Sequence, residues 1–322
     1  MMMKNGIAAG LAAFAAALVT FSAGTCAADE FDNLTHRVDD EKAPAVLMTR
    51  DVSSEGLVKI YEALGRAPRG KVGIKITFES PGGPYLPPEL LRGLAEKTNG
   101  TFIDSNALSA RRTNAEEHRA LAAEHGFTAV APVDILDAEG EIDMPVTNGK
   151  RLKFHRTGSH FDDYDSVISV VRFKPHHIQK YGGTLKNMTI CLASPSGKCN
   201  IHSAGETAEY YSPAPLDIQL ESFADAVKAA LDYKKDAWVF INVLCATEPD
   251  DDCEGTKPFG DLCILASLDP VAIDQAAIDI TFGMAGTEEL RRAWEDYHET
   301  SLTEYAEAAG AGSNEYRLVP ID

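Results

Sequence analysis

Val72-Gly73-Ile74-Lys75-Ile76-Thr77-Phe78, then Pro87-Pro88-Glu89-Leu90-Leu91-Arg92-Gly93-Leu94-Ala95-Glu96-Lys97, then Thr101-Phe102-Ile103, form three runs of contrasting pattern within residues 72–103. The first run is short and rich in β-branched apolar residues, which suits a buried strand. The second opens on proline and repeats its leucines at helical spacing, which suits a helix. The third reads as a strand again. A strand, a crossover helix and a second strand make two parallel strands of one sheet.

The same alternation extends both ways. Upstream, Ala45 to Met48 reads as a strand and Ser53 to Leu64 as a helix capped by Ser53 or Ser54. Downstream come a helix from Asn114 to His125 closed by Gly126, strands at Thr128 to Ile135 and Ser166 to Phe173, a helix at Glu221 to Lys234, and strands at Trp238 to Leu244 and Leu262 to Ala266. Asp269 caps a helix that begins at Pro270 and runs to Phe282; an acidic helix over Glu288 to Ala309 and a short strand at Tyr316 to Val319 end the chain. The fold class expected is α/β, with two α/β lobes on mostly parallel sheets. The polar stretch Ser203 to Asp217 carries two prolines and is the best internal boundary. The expected organisation is a signal peptide at 1–28, an N-terminal lobe at 29–205 and a C-terminal lobe at 206–322.

The chain has 322 residues, 44% of them apolar, enough for a sizeable core. Thirty Lys and Arg face 49 Asp and Glu, a formal charge of −19. That balance argues against nucleic acid and anionic membrane surfaces as partners, while leaving room for a local basic pocket. Lys4, the apolar run from Ile7 to Val19 and the small residues through Ala28 read as a secretory signal peptide cleaved near Ala27 or Ala28. Alternatives are an uncleaved anchor and a lipoprotein modified at Cys26. No later segment holds about 18 continuous apolar residues, so no stable membrane span is expected in the mature protein. The expected location is periplasmic or extracellular.

Export bears on the cysteines, because thiols pair in an oxidising compartment. Cys245 and Cys253 bracket one acidic loop and form one plausible disulfide; Cys191 and Cys199 have the same separation and form another. None of the cysteines has zinc-ribbon or ferredoxin spacing, so no iron–sulfur cluster is expected.

The densest chemistry lies in Phe173-Lys174-Pro175-His176-His177-Ile178-Gln179-Lys180-Tyr181-Gly182-Gly183-Thr184-Leu185-Lys186-Asn187. A buried strand ends in a loop with two histidines, then a Gly-Gly turn, then a helix bearing Lys186. Ligands of open α/β sheets sit at strand carboxyl ends. Gly182 and Gly183 let backbone N–H groups approach an anion, and Lys186 adds a charge. His176 and His177 are acid/base or metal-binding candidates. His202 follows near the proposed boundary. Arg111 and Arg112 follow another strand end and are candidates for a carboxylate clamp, or simply surface cations. Asp274 lies one turn into an apolar helix and is a further ligand-site candidate. The acids of Asp250-Asp251-Asp252-Cys253-Glu254 could bind a cation, or form a solvated loop. Ser196-Gly197-Lys198-Cys199 lacks the glycine and the hydroxyl of a phosphate-binding loop, which rejects an ATPase.

Pro87-Pro88-Glu89-Leu90, Glu117-His118, His125-Gly126-Phe127, Gly182 to Asn187, Ala193-Ser194-Pro195-Ser196-Gly197-Lys198, Ile201-His202-Ser203-Ala204-Gly205, Ala266 to Gln275 and Asn314 to Val319 resemble the family catalogued as domain of unknown function 362. That family has no settled activity, and many members carry a ferredoxin-like insert that is missing here. The family often has Cys-Asp-Cys where this chain has Asp251-Asp252-Cys253, and its pattern implies Cys253 as a metal thiolate instead of a disulfide partner. More distantly, Pro175-His176, Tyr181-Gly182-Gly183, Lys186 and His202 are similar in order to a pattern of lactate racemases. That resemblance implies His176 as acid/base, Lys186 as tether of a nickel-pincer nucleotide or anion clamp, and His202 as metal ligand. A second catalytic histidine of that family would fall near Arg111 and is missing.

The expected function is binding of a small anionic, carboxylate-type ligand between the lobes, with a divalent metal as an open option, and acid/base or racemase-like action on it. The sequence leaves open a non-catalytic ligand-binding or redox-partner protein, and it names no cofactor.

Overall fold

The computed structural model describes residues 31, 34–176, 180–245, 262–283 and 301–322. Its elements run β1 (Ala45–Thr49), α1 (Ser54–Ala63), β2 (Val72–Lys75), α2 (Pro88–Thr98), β3 (Thr101–Asp104), α3 (Ala115–Glu124), β4 (Val133–Ile135), β5 (Glu141–Pro145), β6 (Phe154–Gly158) and β7 (Ser166–Arg172). They continue with β8 (Lys174–His176), β9 (Lys180–Gly182), α4 (Thr184–Met188), α5 (Pro195–His202), α6 (Leu216–Tyr233), β10 (Trp238–Leu244), β11 (Cys263–Ser267), α7 (Pro270–Gly283), α8 (Leu302–Ala308) and β12 (Arg317–Pro320).

Eight strands form one sheet in the order β12-β1-β11-β10-β7-β2-β3-β4. The neighbours β2–β3, β3–β4, β2–β7, β7–β10 and β1–β12 are parallel, while β11 runs antiparallel to both β1 and β10. This is the mostly parallel α/β fold expected from the strand–helix alternation. The expected boundary at residue 205 falls just beyond α5. Strands from both sides of it share this sheet, because β10 pairs directly with β7.

Side chains alternate across the sheet, as the period of two requires. Val46, Met48 and Phe240 pack on one face with Leu185, Ile201, Phe223 and Ile273 of α4 to α7; Leu47 and Ile241 pack on the other with Leu57 and Leu91 of α1 and α2. Local rules set several boundaries. Ser53 accepts from the Gly56 N–H and starts α1; Asn114 does the same for Glu117 at α3. Asp269 accepts from the N–H groups of Val271 and Ala272 and starts α7 as expected.

Other expectations change. The strand expected over Thr128 to Ile135 is short, because Gly126 (φ 88°) turns the chain into a single 3-10 turn over Phe127–Ala129 before β4. The loop expected after β7 is a hairpin in which Pro175 pairs with Tyr181 and His176 with Lys180. The β5–β6 hairpin is new: β5 is charged and mostly exposed, so it shows no apolar alternation to read. Of the acidic helix expected over Glu288 to Ala309, α8 is the described part. The signal peptide, Cys26, His177 and the 250–254 acidic run with Cys253 lie outside the described residues. No helix of the described residues is long and apolar enough to cross a membrane.

Candidate functional site

From β2 the sheet grows one way through β3 and β4 and the other way through β7 and β10. The order therefore reverses between β2 and β7. Crevices at the carboxyl ends of such strands are where open α/β sheets take ligands. A cavity of about 260 Å³ sits there. Thr77, Glu79 and Ser80 reach it from beyond β2, Asp104 and Ser105 from the end of β3, and Arg172 from the end of β7. Lys174, Gly182, Gly183, Lys186, Cys191, Lys198 and His202 close it from the segment that follows β7.

The charge of this lining opposes that of the whole chain. Arg112, Arg172, Lys174, Lys186 and Lys198 line it, against Glu79 and Asp104 among the described residues. Both acids already face cations. Glu79 lies 3.8 Å from the Lys174 ammonium. Asp104 receives a hydrogen bond of 2.9 Å from the buried Lys75 Nζ, which also donates to the Ile76 carbonyl and to Asn187 Oδ1. The Phe78 and Ser105 N–H groups donate to the same carboxylate, and His118 Nε2 lies 3.4 Å from it. Burial alone would raise the Asp104 carboxyl, but Lys75, His118 and Arg112 together outweigh it and hold it well below the usual carboxylate range.

Lys198 is buried on α5, and its ammonium donates to the Asn106 carbonyl at 2.6 Å and to the Ala193 carbonyl. Burial lowers its pKa to about 8, helped by Lys75 and opposed by Cys191, Asp104 and Asp137. His202, the last residue of α5, is 8% exposed. Burial lowers its pKa, a hydrogen bond to Gln219 opposes this, and Lys186 and Lys198 lower it further. It is therefore a neutral imidazole near pH 7.

The structure brings five of the expected residues together: Arg112, Gly182, Gly183, Lys186 and His202 share the cavity. His176 does not join them. It is partly exposed on β8, two residues past Lys174, which puts it roughly 7 Å further along the strand, beyond the lining. Arg111 is also elsewhere: it is exposed and paired with Glu124 at 2.6 and 3.0 Å. Left-handed turns at Ala110 and Arg111 (φ 66° and 55°) reverse the chain, so Arg112 is the arginine that faces the cavity. Asp274 is fully buried and accepts from the N–H groups of Thr184 and Leu185, both at 2.8 Å, and from Asn242 at 2.7 Å. It fills the anion cradle expected at the Gly-Gly turn, so those N–H groups serve the protein's own carboxylate. Burial raises Asp274 to about 6 despite these bonds. Cys191 and Cys199 stay separate thiols, because α5 carries Cys199 into the interior. Cys245 is buried just past β10, and its expected partner Cys253 lies outside the described residues.

Lys75, Lys198 and Gln219 were not among the site residues expected from the sequence. Ser194-Pro195 is a helix-start signal that would have placed Lys198 on a helix. Lys75 sits in an apolar strand, and a lysine there carries its own signal, since it must be paired to be buried.

The nickel-pincer set implied by the distant resemblance is incomplete. His176 lies off the cavity, and Arg111 holds Glu124 at the surface where a second histidine would fall. Among the described residues no group of three or more His, Cys, Asp or Glu side chains is placed to hold a metal ion.

Fold and site together define an α/β protein with a cationic cavity at the switch point of its sheet. The chain belongs to the family described as domain of unknown function (DUF362), whose model matches residues 72–279. No curated protein matches it. Among solved structures it is similar to a protein from Thermotoga maritima, at 14% identity and a TM-score of 0.42, covering 81% of this chain and 59% of that one. It is also similar to the lactate racemase apoprotein from Thermoanaerobacterium thermosaccharolyticum, at 13% identity and a TM-score of 0.38, covering 68% of this chain and 53% of that one. The chain thus spans less than two thirds of either structure.

Proposed function

We propose that the protein binds a small carboxylate-type anion in the cavity between β2 and β7 and acts on it by acid/base chemistry. The observation that carries this reading is the cationic lining of one cavity in a chain of charge −19. Arg112 and Lys186 would clamp the carboxylate. Among the described residues, Lys198, with its pKa near 8, and His202, whose pKa burial lowers, are groups there able to exchange a proton near neutral pH. His176 lies off the lining, and that favours the second reading, binding without chemistry. Deuterium wash-in beside the carboxylate of a bound ligand separates the two.

Cys191, a partly exposed thiol of the lining, supplies the test. Iodoacetate and iodoacetamide meet the same thiol, so the ratio of their rates reports the field at the cavity. After correction for their intrinsic rates, iodoacetate is expected to alkylate Cys191 about tenfold faster at low salt. Arg112→Ala and Lys186→Ala should each reduce that preference severalfold. A ratio near one, read by mass spectrometry of the Cys191 peptide, overturns the proposal.

Export belongs to the same reading, supported by Lys4 and the apolar run Ile7 to Val19. The secreted chain is expected to begin near Asp29. An intact N-terminus on the mature protein in its own host would overturn this.

A further inference from the structure

The hydrogen bonds around His202 fix which of its nitrogens carries the proton. The Ala214 carbonyl can only accept, and it takes a hydrogen bond of 2.6 Å from Gln219 Nε2. The Gln219 amide is thereby oriented, with its oxygen toward His202 at 2.8 Å from Nδ1. An amide oxygen can only accept, so Nδ1 is the protonated nitrogen. Gln219 and His202 are both buried, and the edges of Tyr211 and Phe223 hold the imidazole ring at centroid distances of 5.1 and 5.6 Å. The Ala214 carbonyl thus fixes the amide, and the amide oxygen fixes the ring. The remaining nitrogen, Nε2, has no protein hydrogen bond among the described residues, and His202 lines the cavity. A bare acceptor therefore stands in a lining that also carries the cationic donors Arg112, Arg172, Lys174, Lys186 and Lys198.

We propose that the cavity selects anions that also carry a hydrogen-bond donor, whose O–H is received by His202 Nε2, and that Gln219 is the positioning residue that sets this selection. The inference rests on the anion-binding reading above. An anion without the donor places an acceptor or a methyl group against the Nε2 lone pair. That leaves the nitrogen desolvated and unpaired. A hydroxy carboxylate and a hydrogen phosphate share the required chemistry.

Two matched pairs of probes test it. Glycolate and propionate differ by a hydroxyl in place of a methyl group. Hydrogen phosphate and sulfate, at about pH 8, share charge and shape and differ by one proton. Calorimetric titration of the full-length mature protein is expected to show the donor-bearing member of at least one pair binding about tenfold tighter or more. Which pair does so distinguishes a carboxylate ligand from a phosphate. Gln219→Leu should shrink the preference to roughly threefold or less by releasing the tautomer. In the unaltered protein, long-range nitrogen NMR should show His202 Nε2 with the shift of an unprotonated ring nitrogen. That spectrum decides the matter even if Gln219→Leu does not fold. Equal or tighter binding of propionate and sulfate, or a protonated Nε2, overturns the inference and leaves anion binding standing. If none of the four anions binds, the anion-binding reading falls and this inference falls with it.

Discussion

Lys75→Met is expected to lower the stability of the protein by about 3–5 kcal/mol, the usual result of removing one partner of a buried ion pair. Lys75 is fully buried, and its ammonium joins the Ile76 carbonyl, Asp104 and Asn187. Methionine fills the same space and brings no donor. The Asp104 carboxylate then keeps its two backbone N–H donors, together with His118 and Arg112, but loses its closest cation, while burial remains the largest influence on it. The sign of the pH dependence should reverse. In the unaltered protein Asp104 lies below its ordinary value of 3.8, so its contribution is present above that value and is lost as pH falls from there through the lowered folded value. In the variant burial is expected to raise the carboxyl above its unfolded value. Its contribution is then present at low pH and lost as pH rises through the new, higher value. Thermal unfolding at about pH 7 and about pH 5 should show a deficit of roughly 10 °C at the higher pH and a smaller one at the lower. An equal deficit at both would mean that Lys75 acts through packing alone.

The case of Lys75 also marks what can be read in the chain. Its flanking residues, Val72 to Phe78, make the strand legible, because β-branched residues and alternation are local signals. The mostly parallel character of the sheet followed from the same kind of pattern, and five neighbouring pairs are parallel. What lay 29 and 112 residues away, Asp104 and Asn187, was not legible, since only the strand order brings these side chains to one point. The site divides in the same way. Gly182, Gly183, Lys186 and His202 fall within about twenty residues of one another, and their clustering along the chain survived as clustering in space. Arg111 and Arg112 could not be told apart by pattern. The left-handed turn that separates them uses an alanine and an arginine, neither of which announces a positive φ. Asp274, an acid in an apolar helix, is expected from the sequence at the ligand site, but it accepts from backbone N–H groups 89 and 90 residues away. Its role as a helix anchor therefore had no signature in the sequence.

Adjacent glycines should respond very unequally to the same substitution. Gly183→Ala is expected to destabilise the protein by about 2–4 kcal/mol and to abolish anion binding. The backbone there is extended, with φ −132°, so the conformation itself suits alanine. The obstacle is space: an added Cβ would lie 2.5 Å from Asp274 Oδ1 and 2.8 Å from its Cγ. Asp274 has nowhere to retreat, being fully buried and held by Thr184, Leu185 and Asn242. Displacing it breaks the two bonds that begin α4 and leaves a buried carboxylate short of donors. Since α4 carries Lys186 into the cavity, the loss reaches the site. At Gly182 an added Cβ meets the Lys174 Cγ at 3.5 Å and the Lys186 Cδ at 3.7 Å, ordinary contacts with flexible stems. Gly182→Ala should therefore unfold within about 0.5 kcal/mol of the unaltered protein. Its methyl group nevertheless stands in the lining between two lysine stems, so it should weaken binding of the larger anions before the smaller. Chemical denaturation of the two variants side by side decides the point. If Gly183→Ala unfolds with the midpoint of Gly182→Ala, Asp274 is not the anchor of the helix that bears Lys186.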